Sequence, residues 1–581
     1  MSDYIFTSHR RTSGYLSKVI QSIYHDDKPE VTEFHGSWGS LAFSRNLYLG
    51  YEPMETDDFI CGVIGGPVLT FTDNNFLTGK DKIAGTRYIY EKWLNNKYLK
   101  WDEVLSGPFQ CLFLNKCTRE LQIVTDLLSF IPLYEGIDKK TRTIGTHVDM
   151  VARTGSFEGE WDLTSLADFI LNGTVTYPFT TYQAVRELAP ASSHNWNLDT
   201  RTKLESESYW QPLEEYPKQT IEEMAEELRE GLRSYVGSVT QSMNRVATFL
   251  SGGEDSRVIL SLLPADIQRE AFIFLNQKNR ESRIAQRVAR VHGVQLMLSF
   301  RHPNRYLEVL PACSDLVGST SQYISAHTYG LHIQCNLIDY PAVFGGLLSD
   351  TLLKEFYYYN FHKPSSIIQS ERYQFTNNIF KELNSRHRKH LRRIKEIRPC
   401  TAHEWFSIWP MSMCSALSNI HGNRRLFRSY EPFTASSIVK IASVAPQQWK
   451  LNRNLFHHAV QPLLNRTKKI PHPNGWQPYQ QGWKKHSRFY ENLLTRPVIN
   501  AFHKKQMSSY QGTWCDWNST IKSKEWALLS SSLVQKSNML QNLFTTPIKE
   551  LLNAKSSHLS MLQKVNLLQA LYFVSSSNGR A

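Results

Sequence analysis

Residues 248–260 read TFLSGGEDSRVIL, and the fold follows from how that stretch is parsed. Ahead of it, residues 245–250 (RVATFL) are a short apolar run of strand length. Behind it, residues 255–263 carry apolar side chains at helical spacing. Between them lie Ser251, Gly252, Gly253, Glu254, Asp255 and Ser256. A strand that turns through glycine into a helix builds an anion site, because backbone N–H groups without helical partners and the positive helix end converge on one point. The glycines let the backbone come close to a phosphate. Ser251 and Ser256 add hydroxyl donors. Asp255 puts a carboxylate beside that anion site, which makes chemical sense with a Mg²⁺ between them. The stretch is not a Walker loop, since no Lys follows the glycines.

The flanking chain alternates strand and helix. Residues 220–243 have one apolar helical face and lead into the loop strand. After the loop, residues 271–275 (AFIFL) read as a strand, 281–291 as a helix and 295–300 (QLMLSF) as a strand. This is a doubly wound α/β pattern, with ligand expected at the carboxyl ends of the strands. Residues 340–350 (YPAVFGGLLSD) read as a further strand that ends in a glycine turn with Asp350. The first 160 residues differ. Strand-like runs at 60–69, 109–114 and 120–124 are interrupted by a helical pattern at 83–94. Residues 162–173 (DLTSLADFILNG) are an amphipathic helix with Asp162 as its expected N-cap.

The chain has 581 residues, enough for two or three domains. Hydrophobic content of 41% with 20% charged residues is that of a folded soluble protein. No apolar run reaches the roughly 18 residues of a spanning helix, and the first residues lack an apolar leader core. The eight cysteines form no C-x-x-C pair, so neither a zinc site nor a disulfide framework is read, and reduced thiols in a cytoplasm are the expectation. Net charge is +13, and part of the excess lies at 386–398 (RHRKHLRRIKEIR). That run is either a solvated helix face or a contact for an acidic partner such as nucleic acid, a uronic-acid polymer or an acidic peptide.

The SGGEDS loop resembles the SGGxDS pyrophosphate loop of the PP-loop ATPases. Residues 50–54 (GYEPM) resemble the G-x-Q-P-M segment of class II glutamine amidotransferase domains, residues 105–109 (LSGPF) their L-x-G-x-F strand, and Thr125-Asp126 with 131–134 (IPLY) their R-D-x-x-G-x-x-P-L-Y-Y run. In that order, these landmarks are similar to the asparagine synthetase family. The resemblance implies an N-terminal αββα Ntn-like sandwich (1–210), a doubly wound parallel-sheet PP-loop domain (211–482) and a helical C-terminal part (483–581).

It also implies ATP and Mg²⁺ as cofactors. Ser251, Gly252, Gly253, Asp255 and Ser256 would bind ATP and pyrophosphate, and Asp255 with Asp350 would hold the metal. Residues 465–471 (NRTKKIP) stand where the family has R-x-K-x-G-F, which points to Lys469, with Lys468 beside it, as catalytic lysine. Residue 2 is Ser2 where the family's glutaminases have a nucleophilic Cys, the N-G-E segment is missing, and Thr125 replaces the Arg before Asp126. A Ser hydroxyl is a far weaker nucleophile than a thiol, so no glutamine hydrolysis is expected.

The expected activity is an amide-forming ligase that adenylates a carboxylate on a small molecule, peptide or acidic saccharide. Ammonia or an amine would be the acceptor, as in members without the Cys such as β-lactam synthetases and lasso-peptide cyclases. A PP-loop enzyme acting on nucleic acid and an inactive scaffold of the same fold are the alternatives.

Overall fold

The computed structural model describes residues 3–96, 99–138, 141–200, 202–204, 206–215, 217–354, 375–473, 513–536 and 539–577. Ser2 and residues 483–512, 537–538 and 578–581 of the expected 483–581 extension lie outside the described residues.

The N-terminal half is two antiparallel sheets face to face. One has six strands, in the order Val185–Glu187, Tyr134–Ile137, Arg142–Gly145, Tyr4–Thr7, Gly39–Ser44, Val31–Gly36. The other is built on Ser192–Asn197, Glu120–Thr125, Phe109–Asn115 and Phe59–Gly65. Alternation along the strands sorts the side chains between layers. Tyr4, Phe6, Ile60, Ile64, Leu112 and Leu114 fill the space between the sheets. Ile5 points instead to the outer layer with Leu16, Val19 and Val151 of helices Tyr15–Gln21 and Val148–Thr154. On the other outer face, helix Ala84–Leu94 stacks Trp93 on Phe113 with ring centroids 4.2 Å apart. The layer order is αββα, as the resemblance implied. Gly62 is required by that packing, because a Cβ there would lie 2.2 Å from the Phe43 ring.

The second half is a five-stranded parallel sheet in the order Gln295–Phe300, Gln268–Leu275, Arg245–Phe249, Val343–Phe344, Ser429–Tyr430. The chain leaves the central strand Arg245–Phe249 towards one edge and returns on its other side. That strand is therefore the switch point, where an open α/β sheet forms its ligand crevice. Helix Ile221–Thr240 feeds it, started by a reciprocal capping box between Thr220 and Glu223. The strand expected at 340–350 is only Val343–Phe344. Leu348 then takes a left-handed turn (φ 70°) into the short helix Ser349–Leu353.

The C-terminal helices Lys524–Lys536 and Met561–Ser577 pack back on the body, with Phe573 6.4 Å from Phe169 of helix Leu163–Asn172. Asp162 caps that last helix by accepting from the Thr164 and Ser165 N–H groups, and Gly173 closes it in the left-handed region. The basic run lies on helix Asn377–Ile397, and its inward half is committed inside the molecule. Arg386 donates to Asp162 (2.8 Å), His387 pairs with Asp168 (3.1 Å), and Arg393 covers the Tyr177 ring at 4.4 Å. Arg388, Lys389, Arg392 and Lys395 remain exposed. Among the described residues no helix is long and apolar enough to cross a membrane.

Candidate active site at the carboxyl ends of the parallel sheet

A cavity of about 320 Å³ opens where the parallel strands end. Its floor is Leu250, Ser251, Asp255 and Ser256, and its walls come from Phe272–Phe274, Arg301, Gly345–Leu347 and Glu431. Each of the five strands thus ends at this cavity, which is what parallel alignment does to loops distant in sequence. Trp514 and His327 close the far side, with ring centroids 4.7 Å apart. Burial pushes His327 down to about 4, so the imidazole is neutral near pH 7.

The loop is folded on itself by its own serines. Ser251 N–H donates to Ser256 Oγ (3.2 Å), Gly253 N–H donates to Ser251 Oγ (3.1 Å), and Ser256 O–H reaches the Gly253 carbonyl (3.2 Å). Helix Glu254–Leu262 starts directly behind it, with Gly253 as N-cap. First-turn N–H groups of a helix have no helical acceptor, so this end favours an anion. Arg257 is fully buried and straps the loop to residues 470–471. It donates to the carbonyls of Gly252 (2.9 Å), Ile470 (2.9 Å) and Pro471 (2.8 Å). Gly252 has no room for a side chain, since a Cβ would meet Pro473 at 2.5 Å.

Asp255 and Asp350 come together. Both bond the ammonium of Lys354, Asp350 at 2.8 Å and Asp255 in direct contact. Burial raises the Asp255 pKa against the pull of Lys354. For Asp350 burial is also the largest influence, but the Lys354 charge and hydrogen bond outweigh it and lower the pKa. Glu254, the other acid of the loop, is buried away from the cavity and accepts from Arg453 at 3.1 Å.

Lys468 and Lys469 are both exposed and do not line the cavity, although their neighbour Ile470 is held to the loop through Arg257. The lysine that meets the carboxylate pair beside the loop is Lys354. Its sequence signal was the i, i+4 spacing from Asp350.

Two further residues escape a sequence reading. Glu431 is buried, accepts from the Leu347 N–H (2.9 Å), and is pushed by burial up to about 8. Arg301 lies across the Phe274 carbonyl (2.9 Å) and the Tyr306 hydroxyl (3.1 Å).

Among the described residues no group of three or more His, Cys, Asp or Glu is arranged around a metal position. The donor set of Asp255 and Asp350 nevertheless fits Mg²⁺. The two carboxylates already converge on one cation, and Mg²⁺ takes one or two carboxylates with the remainder from phosphate and water.

Residues 227–461 match the family model described as Asparagine synthase. This segment is an asparagine synthase domain. The match spans the loop, the carboxylate pair and the five strands of the sheet. The domain belongs to a family of ATP-dependent amide-forming ligases, whose members use ATP, usually with Mg²⁺. Two solved structures are similar to parts of the chain. One is described as the allosteric regulatory enzyme of purine biosynthesis, with 10% identity over 51% of this chain and 80% of its own, at a TM-score of 0.25. The other is glutamine phosphoribosylpyrophosphate amidotransferase from B. subtilis complexed with ADP and GMP, with 10% identity over 53% of this chain and 70% of its own, at a TM-score of 0.24. No curated protein matches.

Proposed function

We propose that this chain activates a substrate carboxylate with ATP, releases pyrophosphate, and passes the acyl-adenylate to ammonia or an amine, without hydrolysing glutamine. The observation that carries the reading is the meeting of Asp255 and Asp350 at the Lys354 ammonium beside the SGGEDS loop, with Asp255 bordering the cavity at the switch point. Ser251, Gly252, Gly253 and Ser256 would hold the leaving pyrophosphate through hydroxyl and backbone donors. Asp255 and Asp350 would hold Mg²⁺, and a bound Mg²⁺ would shield the phosphate charge. The attacking amine must shed a proton. Glu431, whose carboxyl has its proton affinity near neutrality in the same cavity, is suited to accept it. Most of the rate gain would come from positioning and from fixed charge rather than from covalent chemistry.

Two features support the loss of glutaminase chemistry. The N-G-E segment of the family's glutaminases is missing, and Thr125 stands where they have the Arg before Asp126.

The test is release of AMP and pyrophosphate from Mg·ATP across a panel of carboxylates with ammonia or amines. Asp255→Asn is the comparison, and glutamate release from glutamine is followed in parallel. The expected result is AMP formation that the variant lacks, and no glutamate. ADP and phosphate as products, or activity untouched in Asp255→Asn, would overturn the reading. Glutamate release would overturn its second part.

A further inference from the structure

The ammonium of Lys354 is the most buried member of its cluster with Asp255 and Asp350. Its side chain is 3% exposed, against 23% for Asp255 and 54% for Asp350. It bonds Oδ1 of each carboxylate and lies 4.2 Å from the ring centroid of Phe456. The Ser349 hydroxyl oxygen stands 3.4 Å from the same nitrogen. The lysine is thus satisfied by acceptors of its own protein, at the point where the two candidate metal ligands converge.

With Lys354 in contact, the carboxylate pair offers a free ion one net negative charge in place of two. One oxygen of each carboxylate is already engaged. Mg²⁺ gives up its water reluctantly and needs further oxygen ligands. A nucleotide brings them as phosphate oxygens, and its negative charge also suits the ammonium.

We propose that Lys354 keeps the Asp255–Asp350 pair closed to free divalent metal, so that metal enters this site only with nucleotide phosphates. The second half of that statement rests on the nucleotide reading above; the closure itself does not.

Mn²⁺ is a spectroscopically visible probe for the full-length, nucleotide-free protein. Bound and free ion are separated by electron paramagnetic resonance, and folding is checked by circular dichroism. The wild type is expected to take up no Mn²⁺ that depends on Asp350. Lys354→Met, and independently Lys354→Gln, should gain one Mn²⁺ with affinity raised by at least about tenfold, because the competing charge is gone. Adding Asp350→Asn to either variant should abolish the gain. With ATP present, the wild type should also hold Mn²⁺ in a manner that depends on Asp350.

Wild-type protein that binds Mn²⁺ through Asp350 without nucleotide as tightly as the variants overturns the closure, whether or not either variant folds. Folded variants that gain no Mn²⁺ overturn it as well. If the variants gain Mn²⁺ but ATP never binds the wild type, the closure stands and the nucleotide reading fails.

Discussion

Replacing Asp3 by Asn tests how the two halves are joined. Asp3 is fully buried. Its Oδ1 accepts from Arg424 (2.9 Å), Arg425 (2.7 Å) and the Thr146 hydroxyl (2.8 Å), and its Oδ2 accepts from Arg425 Nε (2.8 Å) and the Tyr24 hydroxyl (3.1 Å). Burial alone would raise its pKa, but the two guanidinium charges reverse that and hold it well below the ordinary aspartate value.

The Asn side chain keeps the volume, removes the charge and turns an amide N–H₂ towards groups that are themselves donors. Two buried guanidinium groups then lose this anion. Removing one partner of a buried ion pair costs about 3–5 kcal/mol. Unfolding entropy of roughly 2.1 cal/mol/K per residue, summed over a chain of 581 residues, converts the middle of that range to a Tm drop of about 3 °C if the whole chain melts at once. The drop is larger if the melting unit is smaller.

Calorimetry on wild type, Asp3→Asn, the double variant Arg424→Met/Arg425→Met and the triple variant closes a cycle. The triple variant should be more stable than Asp3→Asn alone, since it leaves no buried charge unpaired. The contact's contribution is fully present above the unfolded aspartate pKa near 3.9 and is lost only as pH falls through the lower folded value. The deficit of Asp3→Asn should therefore be constant from about pH 5 to pH 8. An Asp3→Asn protein that melts within about 1 °C of wild type, with no coupling in the cycle, would refute the reasoning. The outcome bears on the site, because Arg424 and Arg425 share helix Leu417–Leu426 with Asn419 and Asn423, which line the cavity.

Two other changes have clear directions. Arg257→Met leaves three carbonyls of the loop and of residues 470–471 without their donor; it should cost about 3 kcal/mol or more and abolish thermal protection by ATP, and unchanged protection would show that the strap does not shape the loop. For Glu431, burial raises the pKa from the ordinary 4.5 to about 8. The folded state therefore keeps a proton that the unfolded chain releases, and this contribution to stability is full below about pH 4.5 and lost as pH rises towards about 8. Denaturant titrations between those limits should show a flatter decline for Glu431→Gln than for wild type. Part of the slope remains, because Asp126 (about 7) and Glu187 (about 8) are raised by burial in the same direction. Equal slopes would mean that Glu431 is ionised in the folded protein.

Local signals carried the elements. The strand, glycine turn and helix at 245–262, the Asp162 cap, the apolar face of Ile221–Thr240 and the alternation in the N-terminal strands are written within a few residues of one another, where periodicity and capping act. They were enough to place Ser251, Gly252, Gly253, Asp255 and Ser256 on one loop, whereas Asp350 was expected beside it only from the family resemblance. Tertiary structure decided which distant charges meet. A basic run looks the same in sequence whether it faces solvent or a neighbouring helix, and only packing showed that Arg386 and His387 are spent on Asp162 and Asp168. The same holds for Asp3 with Arg424 and Arg425, for Arg257 across the turn at 470–471, and for Lys354 between Asp255 and Asp350. An ion pair leaves a trace in sequence only when its partners sit three or four residues apart on one helix face. Across hundreds of residues the pairing is set by the burial of two cores against each other.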